Sequence, residues 1–230
     1  MLRIDAITYS VEGRPLLEGA SATIPTGHKV GLVGRNGTGK TTLFRLIRGE
    51  LALEGGEISL PSRARIGGVA QEVPSSETSL LDTVLQADTE RSALLAESET
   101  ATDPHRIADI QSRLADIDAW SAEGRASSIL KGLGFDAEQQ LMPCSAFSGG
   151  WRMRAALAGV LFAEPDVLAL DEPTNYLDLE GAAWLEEYLE TYPGTVIVVS
   201  HDRDMLNRSV THILALDAGT GLVGLGRSLE

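Results

Sequence analysis

Nine consecutive residues narrow the possible folds of this chain more than any others: Gly34-Arg35-Asn36-Gly37-Thr38-Gly39-Lys40-Thr41-Thr42. They fit G-x-x-x-x-G-K-[ST], a pattern that carries meaning only between a strand and a helix. Lys29-Val30-Gly31-Leu32-Val33, just ahead, reads as a short buried strand. Leu43, Leu46 and Ile47, just behind, fall at i, i+3 and i+4, the apolar stripe of a helix. In that setting the glycines let backbone N–H groups converge on a phosphate without interference from Cβ, and the helix N-terminus adds a favourable dipole. Lys40 is placed to reach the outer phosphates of a nucleotide, and the Thr41 hydroxyl to sit on Mg²⁺. An ordinary glycine-rich turn is the plainer alternative, and the flanks weigh against it. Every residue from Gly34 to Thr42 is therefore a candidate nucleotide contact, Arg35, Asn36, Gly37, Thr38 and Gly39 included.

The loop occurs once, so internal duplication is not expected. With 43% apolar residues in 230 the chain can bury a real core. No run approaches the ~18 consecutive apolar residues of a membrane span, and Ala155 to Ala163 reads as a buried helix. The start, Met1-Leu2-Arg3-Ile4-Asp5, lacks a charged-then-apolar leader. A single cysteine, Cys144, excludes an intrachain disulfide framework and a cysteine-rich zinc site. These features together predict a cytoplasmic protein. The net charge of −14 weighs against nucleic-acid binding by the whole surface. The excess is local: between Glu72 and Gly124 twelve carboxylates face three arginines, Arg91, Arg106 and Arg113. A solvated helical face is the preferred reading of that run over a site for a basic partner.

Taken in order, residues 1–28 read as short antiparallel strands, Leu2 to Tyr9 and Leu16 to Ile24 about a turn at Gly13-Arg14-Pro15. Glu54-Gly55-Gly56-Glu57 is expected to turn, with strands at Ile58 to Leu60 and Arg65 to Ala70, the latter ending on Gln71. Residues 1–74 thus form a β layer plus the phosphate-loop part of a core. Residues 75–146 read as an inserted helical subdomain. Ser79 caps a helix with Leu80, Leu81, Val84 and Leu85, and Leu94 and Leu95 extend the stripe along the same or a second helix. Asp103-Pro104 opens a helix with Ile107, Ile110, Leu114 and Ile117 on one face, and a third covers Ala122 to Leu133. Residues 147–217 return to the core: a helix after Ser148-Gly149-Gly150, a buried strand Val167 to Leu170, a helix Gly181 to Tyr192 and a buried strand Thr195 to Val199. A helix from Asp204 and a strand Thr211 to Leu216 complete it, and 218–230 is expected to be an irregular tail.

The two buried strands end on chemistry. Asp171 and Glu172 follow one of them, and Ser200-His201-Asp202 follow the other, at the carboxyl edge where open α/β sheets bind ligands. With a phosphate loop upstream, Asp171 is a candidate to hold Mg²⁺ through water and Glu172 to act as general base. Gln71 can touch both metal and water, and His201 can donate to the terminal phosphate. Taken alone, His201 would be an ordinary strand-end histidine. Ser148-Gly149-Gly150 makes a second helix start that a phosphate can approach, besides capping a core helix. Two anion-seeking helix ends suggest that one of them serves a second nucleotide.

The order Gly34–Thr42, Gln71, Ser148-Gly149-Gly150, Val167–Glu172, Asp178 and His201 resembles the ABC ATPase family across nearly the whole chain. Three stretches look like its ABC-F subfamily: Phe147-Ser148-Gly149-Gly150-Trp151-Arg152-Met153-Arg154, Asp171-Glu172-Pro173-Thr174-Asn175-Tyr176-Leu177-Asp178, and Ser200-His201-Asp202-Arg203. The resemblance implies an α/β fold of the ABC-type P-loop NTPases, with a mostly parallel core sheet, a small N-terminal antiparallel β layer and an inserted helical subdomain. It implies two ATP molecules sandwiched between two such domains. Gly34, Asn36, Gly37, Gly39, Lys40, Thr41 and Thr42 bind one, with Gln71, Asp171, Glu172 and His201; Ser148, Gly149 and Gly150 serve the other, and Asp178 couples the two. It further implies a Mg²⁺-dependent ATPase that acts on the ribosome or tRNA through regions outside this chain. On this reading the chain is an excised first domain or a truncation. Where the family stacks adenine on an aromatic residue, Val11 stands, with Tyr9 two residues earlier. An ATPase subunit of a membrane transporter is the alternative, and a nucleotide-sensing scaffold without turnover a third.

Overall fold

A computed structural model describes residues 1–69, 75–217 and, for the backbone, 221–227. Along the chain run β1 (Leu2–Val11), β2 (Arg14–Ile24), β3 (Lys29–Val33), α1 (Lys40–Ile47), β4 (Gly55–Ser59) and β5 (Ile66–Gly67). Six helices follow: α2 (Leu80–Gln86), α3 (Thr89–Thr100), α4 (Pro104–Asp116), α5 (Ala122–Gly132), α6 (Ala137–Gln140) and α7 (Gly149–Phe162). Then come β6 (Val167–Asp171), α8 (Leu179–Thr191), β7 (Thr195–Val199), α9 (Arg203–Ser209), β8 (His212–Asp217) and β9 (Gly221–Arg227). The chain divides into two compact units.

The first unit holds residues 1–69, 164–175 and 182–230. It contains an antiparallel sheet in the order β2-β1-β4 and a six-stranded sheet in the order β5-β6-β7-β3-β8-β9. In the larger sheet every pairing is parallel except β8 with β9. Leu2, Ile4, Leu17 and Ile24 of the small sheet share one core cluster with Val30, Leu32, Leu43, Phe44, Ile197 and Leu214. β7 is buried at every position, which is why its sequence is an apolar run and not an alternation. β6, β7 and β3 are neighbours in parallel, so the segments that follow them emerge at one edge. At the opposite end of β3, Lys29 is buried and its ammonium donates to the carbonyls of Tyr192 and, at 2.8 Å, Gly194. Burial pushes its pKa below the ordinary lysine value.

Three expectations are corrected here. Residues read as a turn at Glu54–Glu57 already include β4, which starts at Gly55, because Gly56 at φ 77 packs against the Ala6 carbonyl where a Cβ would stand 2.3 Å away. The strand read from Arg65 to Ala70 shrinks to Ile66–Gly67, and Gln71 lies outside the described residues. The tail read as irregular holds β9, paired with β8 from His212↔Arg227 to Asp217↔Gly221. Its glycines hide the strand alternation that Leu222, Val223 and Leu225 would otherwise show.

The second unit holds residues 70–163 and 176–181. Ser79 caps α2 by accepting from the Asp82 N–H, as its position predicts. Leu94 and Leu95 belong to a separate helix, α3, and pack with Ile110, Leu114 and Ala119 in a small satellite core. Arg106 pairs with Glu97 at 2.6 Å and Arg113 with Glu90 at 2.7 Å, all four exposed. No α3 side chain is fully buried, Leu94 and Leu95 only partly, in keeping with a solvated acidic face. α2, α5 and α7 pack together through residues such as Leu80, Val84, Leu130 and Leu161. Among the described residues no helix is long and apolar enough to cross a membrane.

Candidate functional site

The loop between β3 and α1 takes its shape from glycine. Gly37 and Gly39 sit at φ 81 and 96, a region L side chains rarely enter. A Cβ on Gly34 would lie 2.6 Å from the Leu216 carbonyl, and one on Gly39 2.8 Å from Leu16. Thr38 is buried, and both its N–H and its hydroxyl bond the Arg35 carbonyl, at 3.3 and 2.9 Å. Thr38, expected among the nucleotide contacts, therefore spends both donors on holding the loop. Lys40 curls back over it, with Nζ donating to the carbonyls of Gly34 at 2.8 Å and Arg35 at 3.1 Å. Two of its three donors are engaged, and the third is available. The N–H groups at the start of α1 have no side-chain cap.

Asp171 comes to the same place from the end of β6: the Thr41 hydroxyl donates to its Oδ2 at 2.6 Å across 130 residues of sequence. Glu172 follows at φ 48, an unusual backbone state for a residue with a Cβ. Its N–H is fixed by the Val199 carbonyl at 2.9 Å, and its own carbonyl accepts from Asn175 at 3.2 Å. Backbone held in a sparsely populated region by its surroundings is a recurrent mark of functional sites. Glu172 Oε2 accepts from the His201 N–H at 3.3 Å, while Oε1 is buried without a hydrogen bond, with His201 Nε2 3.3 Å away.

These groups line an open pocket of about 510 Å³ with Asn36, Gly37, Gly39, Thr42, Val11, Leu16 and Val199. Gly34, Arg35 and Thr38 build the loop without lining the pocket. Val11 lines it, and Tyr9 packs against the core instead. Leu16 is a lining residue that sequence reasoning missed, and its position directly after the Gly13-Arg14-Pro15 turn was the available signal.

The pocket can be tested against the ligands expected for it. Glycines that admit no Cβ, uncapped N–H groups and a lysine at one end match a phosphate chain. A hydroxyl and a carboxylate in contact are hard oxygen ligands suited to Mg²⁺. Among the described residues no cluster of three His, Cys, Asp or Glu side chains could hold a metal alone. A metal here must then complete its shell with water and phosphate oxygens, as Mg²⁺ habitually does. The orphaned Glu172 Oε1 is a buried acceptor without a hydrogen bond. The residues fit both groups.

The other expected contacts belong to the second unit. Ser148 stands at the N-cap of α7 in extended backbone, but its hydroxyl accepts no cap hydrogen bond. Gly149 has open space where a Cβ would be, and Gly150 meets only Tyr176 at 3.8 Å. Asp178 accepts from the Gly181 N–H at 2.9 Å and from Arg154 at 2.9 Å. The Gly181 bond first, and the Arg154 guanidinium second, hold its carboxyl below the usual aspartate value. Arg154 also donates to the carbonyls of Tyr176 and Leu133 and lies over the Trp151 ring, Cζ 4.4 Å from its centroid. Sequence reasoning missed this arginine, and its place six residues after Ser148 on α7 gave no signal of its own.

Comparison with known proteins now bears on these observations. The family described as ABC transporter matches residues 17–175. The chain is 49% identical over 205 residues to the probable ATP-binding protein YheS of Haemophilus influenzae, covering 88% of this chain and 32% of that protein. It is 45% identical to ABC transporter F family member 3 of Arabidopsis thaliana over 240 residues, 94% of this chain and 33% of the other. Against human ATP-binding cassette sub-family F member 3 the figures are 42% over 226 residues, 94% and 31%. The chain thus spans about a third of the length of these curated relatives. Its fold is that of an ATP-binding subunit of an ABC transporter, TM-score 0.73 at 18% identity over 99% of this chain and 90% of that one. A dimeric ATP-binding cassette in a post-hydrolysis state bound to ADP and Pi gives TM-score 0.70 at 20% identity over the full length of both chains. The chain belongs to the ABC family as an ATP-binding cassette with an α/β P-loop NTPase fold, and its relatives include members named for the F subfamily.

Proposed function

We propose that this cassette binds ATP with Mg²⁺ in the pocket around Lys40 and hydrolyses it once a second cassette closes over the nucleotide. The observation that carries this reading is the meeting of Thr41, Asp171, Glu172 and His201 beside the glycine loop, with Thr41 and Asp171 2.6 Å apart and a buried, orphaned oxygen on Glu172. Thr41 and Asp171 would hold Mg²⁺, with Gln71 as a further contact of metal and water. The metal's part is to neutralise charge on the phosphate oxygens. Glu172 is the general base: Oε1 accepts the proton of a water, and His201, within 3.3 Å, keeps that carboxylate oriented and donates to the terminal phosphate. Lys40 turns from its loop carbonyls to the outer phosphates. Each interaction strengthens as charge develops on the transferring group, which is what catalysis requires.

Ser148, Gly149 and Gly150 serve the ATP of the second cassette, and Asp178 couples the two sites. That cassette is either part of a longer chain or a second copy of this one. In this reading residues 1–74 and 147–217 form the ATPase core, 75–146 a helical subdomain with a short arm, and the protein works in the cytoplasm on the ribosome. The ribosomal role is carried over from the resemblance to the F subfamily, which the named relatives and the Trp151-Arg152-Met153-Arg154 and Asn175 signatures support. The transporter alternative has on its side the description of the matching family and the fold of solved structures at 18–21% identity.

Glu172→Gln tests the chemistry. It should retain ATP binding and lower phosphate release by about 10²–10⁴ in a paired-cassette assay, and unchanged turnover would remove Glu172 from the base role. The same variant, trapped with ATP, should co-sediment with ribosomes; recovery with a membrane protein instead would favour the transporter reading.

A further inference from the structure

A second cavity, of about 480 Å³, lies in the first unit between the end of β3 and α9. It is more enclosed than the pocket around the glycine loop, and its volume falls in the range of small-molecule sites, about 300–1,000 Å³. Its apolar part is firmly held. Leu206 of α9 and Ile213 of β8 line it, and both also close on Gly31, where a Cβ would stand 3.1 and 3.0 Å from them. Lys40, Arg203 and Asn207 supply polar groups to the same space. The neighbouring Asp202 carboxylate is engaged by the N–H groups of Asp204 and Met205, at 2.9 and 3.2 Å. Lys40 and His201 line this cavity and the nucleotide pocket alike.

Two cations, an amide and an aliphatic surface around one enclosed space suit a ligand with an anionic head and an apolar body. We propose that this cavity is a regulatory site for a small organic anion of that kind, a carboxylate or a phosphate monoester, and that its occupant opposes ATP. Lys40 gives the site its effect. Its ammonium bonds the Gly34 and Arg35 carbonyls at 2.8 and 3.1 Å and keeps a third donor. An anion between Lys40 and Arg203 takes that donor and favours the lysine's place on the loop carbonyls. ATP, on the reading above, needs the same lysine on its outer phosphates. The two ligands therefore compete for one side chain from opposite sides, and by linkage each weakens the other by the same factor. The coupling rests on the nucleotide reading; occupancy of the cavity does not.

Methyl NMR of the chain labelled at isoleucine and leucine, titrated with phenylacetate and with phenyl phosphate, tests occupancy. Calorimetry with ATP and Mg²⁺ in the presence of each probe tests the coupling. Without ATP, the probes should shift the Ile213 and Leu206 methyl signals at millimolar concentration, and the tighter of the two identifies the preferred head group. A saturating probe should weaken ATP by about tenfold, within the span usual for coupled sites. Arg203→Glu changes an exposed residue outside the catalytic groups, and glutamate is favourable in the first turn of a helix. It should abolish the methyl response and leave ATP affinity as it was. Silence of Ile213 with both probes overturns the proposal. So does a response that survives Arg203→Glu, which would put the anion in the nucleotide pocket. Methyl shifts with unchanged ATP affinity overturn the regulatory role. If ATP fails to bind without any probe, the nucleotide reading falls instead, and the Ile213 response still decides whether the cavity takes an anion.

Discussion

Two of the described helices that start straight from a loop lack a side-chain cap, α1 after Gly39 and α7 after Ser148, and their glycines stand in different surroundings. Elsewhere the chain caps its helices with care: Ser79, Asp88, Asp103, Asp136 and Asp202 accept from first-turn N–H groups, and Asp178 does so for α8. Such a cap is worth about 1 kcal/mol. α5 also lacks one, but it runs on from a 3₁₀ turn at Ala119–Ser121 whose last residue is already helical. At α1 the glycines are demanded from within: Gly39 by its positive φ and by Leu16, Gly34 by the Leu216 carbonyl. At α7, Gly149 meets nothing of the chain's own where a Cβ would be. A glycine in a helix costs about 1 kcal/mol relative to alanine. The chain bears that cost at 149 with no internal contact to account for it. The difference teaches that the first loop is shaped by its own fold, while no contact within its own unit explains the glycine at the second start.

Gly34→Ala should break the first half of this comparison most severely. The new Cβ meets a backbone carbonyl at 2.6 Å and Thr38 Oγ1 at 2.8 Å, so the loop must shift. Overpacking of that kind costs about 1–3 kcal/mol. The expected result is a lower unfolding midpoint in urea together with loss of ATP binding by calorimetry. Retained stability would mean that the close approach is not needed.

Arg154→Ala comes next and probes what anchors α7 behind its bare start. The side chain is 11% exposed, donates to Asp178 and to the carbonyls of Tyr176 and Leu133, and lies on Trp151. Its removal leaves the Asp178 carboxylate and the Tyr176 and Leu133 carbonyls without this partner and strips the ring, a loss of about 1–2 kcal/mol. Arg154→Lys keeps the charge but not the planar fork, and should recover only part of it. Full recovery by lysine would show that charge alone holds the Asp178 segment.

Much of this was legible in the sequence, and the limits have physical causes. The loop at 34–42 declares itself because its glycines, lysine and threonine have no common alternative use at that spacing. β6 and β7 were readable as apolar runs because both faces are covered. β9 was not, since Gly221, Gly224 and Gly226 interrupt its alternation and its pairing with β8 is fixed by tertiary contact. Asp171 and Glu172 could be named from the strand they follow, but the φ of 48 at Glu172 could not, because it depends on Val199 and Asn175. Arg154 was unreadable for the same reason: its partners lie 21 to 24 residues away, outside any local pattern.

Gly149→Ala sharpens the second half of the comparison, with an effect of opposite sign. Within this chain the methyl group enters open space at the first turn of α7. Stability should rise by about 0.5–1 kcal/mol from helix propensity. If Gly149 faces the partner's nucleotide as proposed, phosphate release by paired cassettes should nonetheless fall. A gain in stability with undiminished activity would leave the glycine without a reason.

The smallest effect belongs to Asp178, which is capped and paired within its own unit. Its pKa is lowered from 3.8 on folding, by the Gly181 N–H first and Arg154 second. A carboxylate with a depressed folded pKa adds stability that is present above its unfolded value and is lost as pH falls through the folded one. The loss therefore begins near pH 3.8 and continues below it. At 55% side-chain exposure, solvent screening keeps the contribution under about 1 kcal/mol. Asp178→Asn should melt slightly below the parent chain at pH 7, and the gap should close below pH 3.8. A gap that persists in acid would show that the amide loses packing and not charge. Asp178 would then act on the α8 start through shape, and its coupling role would need another carrier in the same segment.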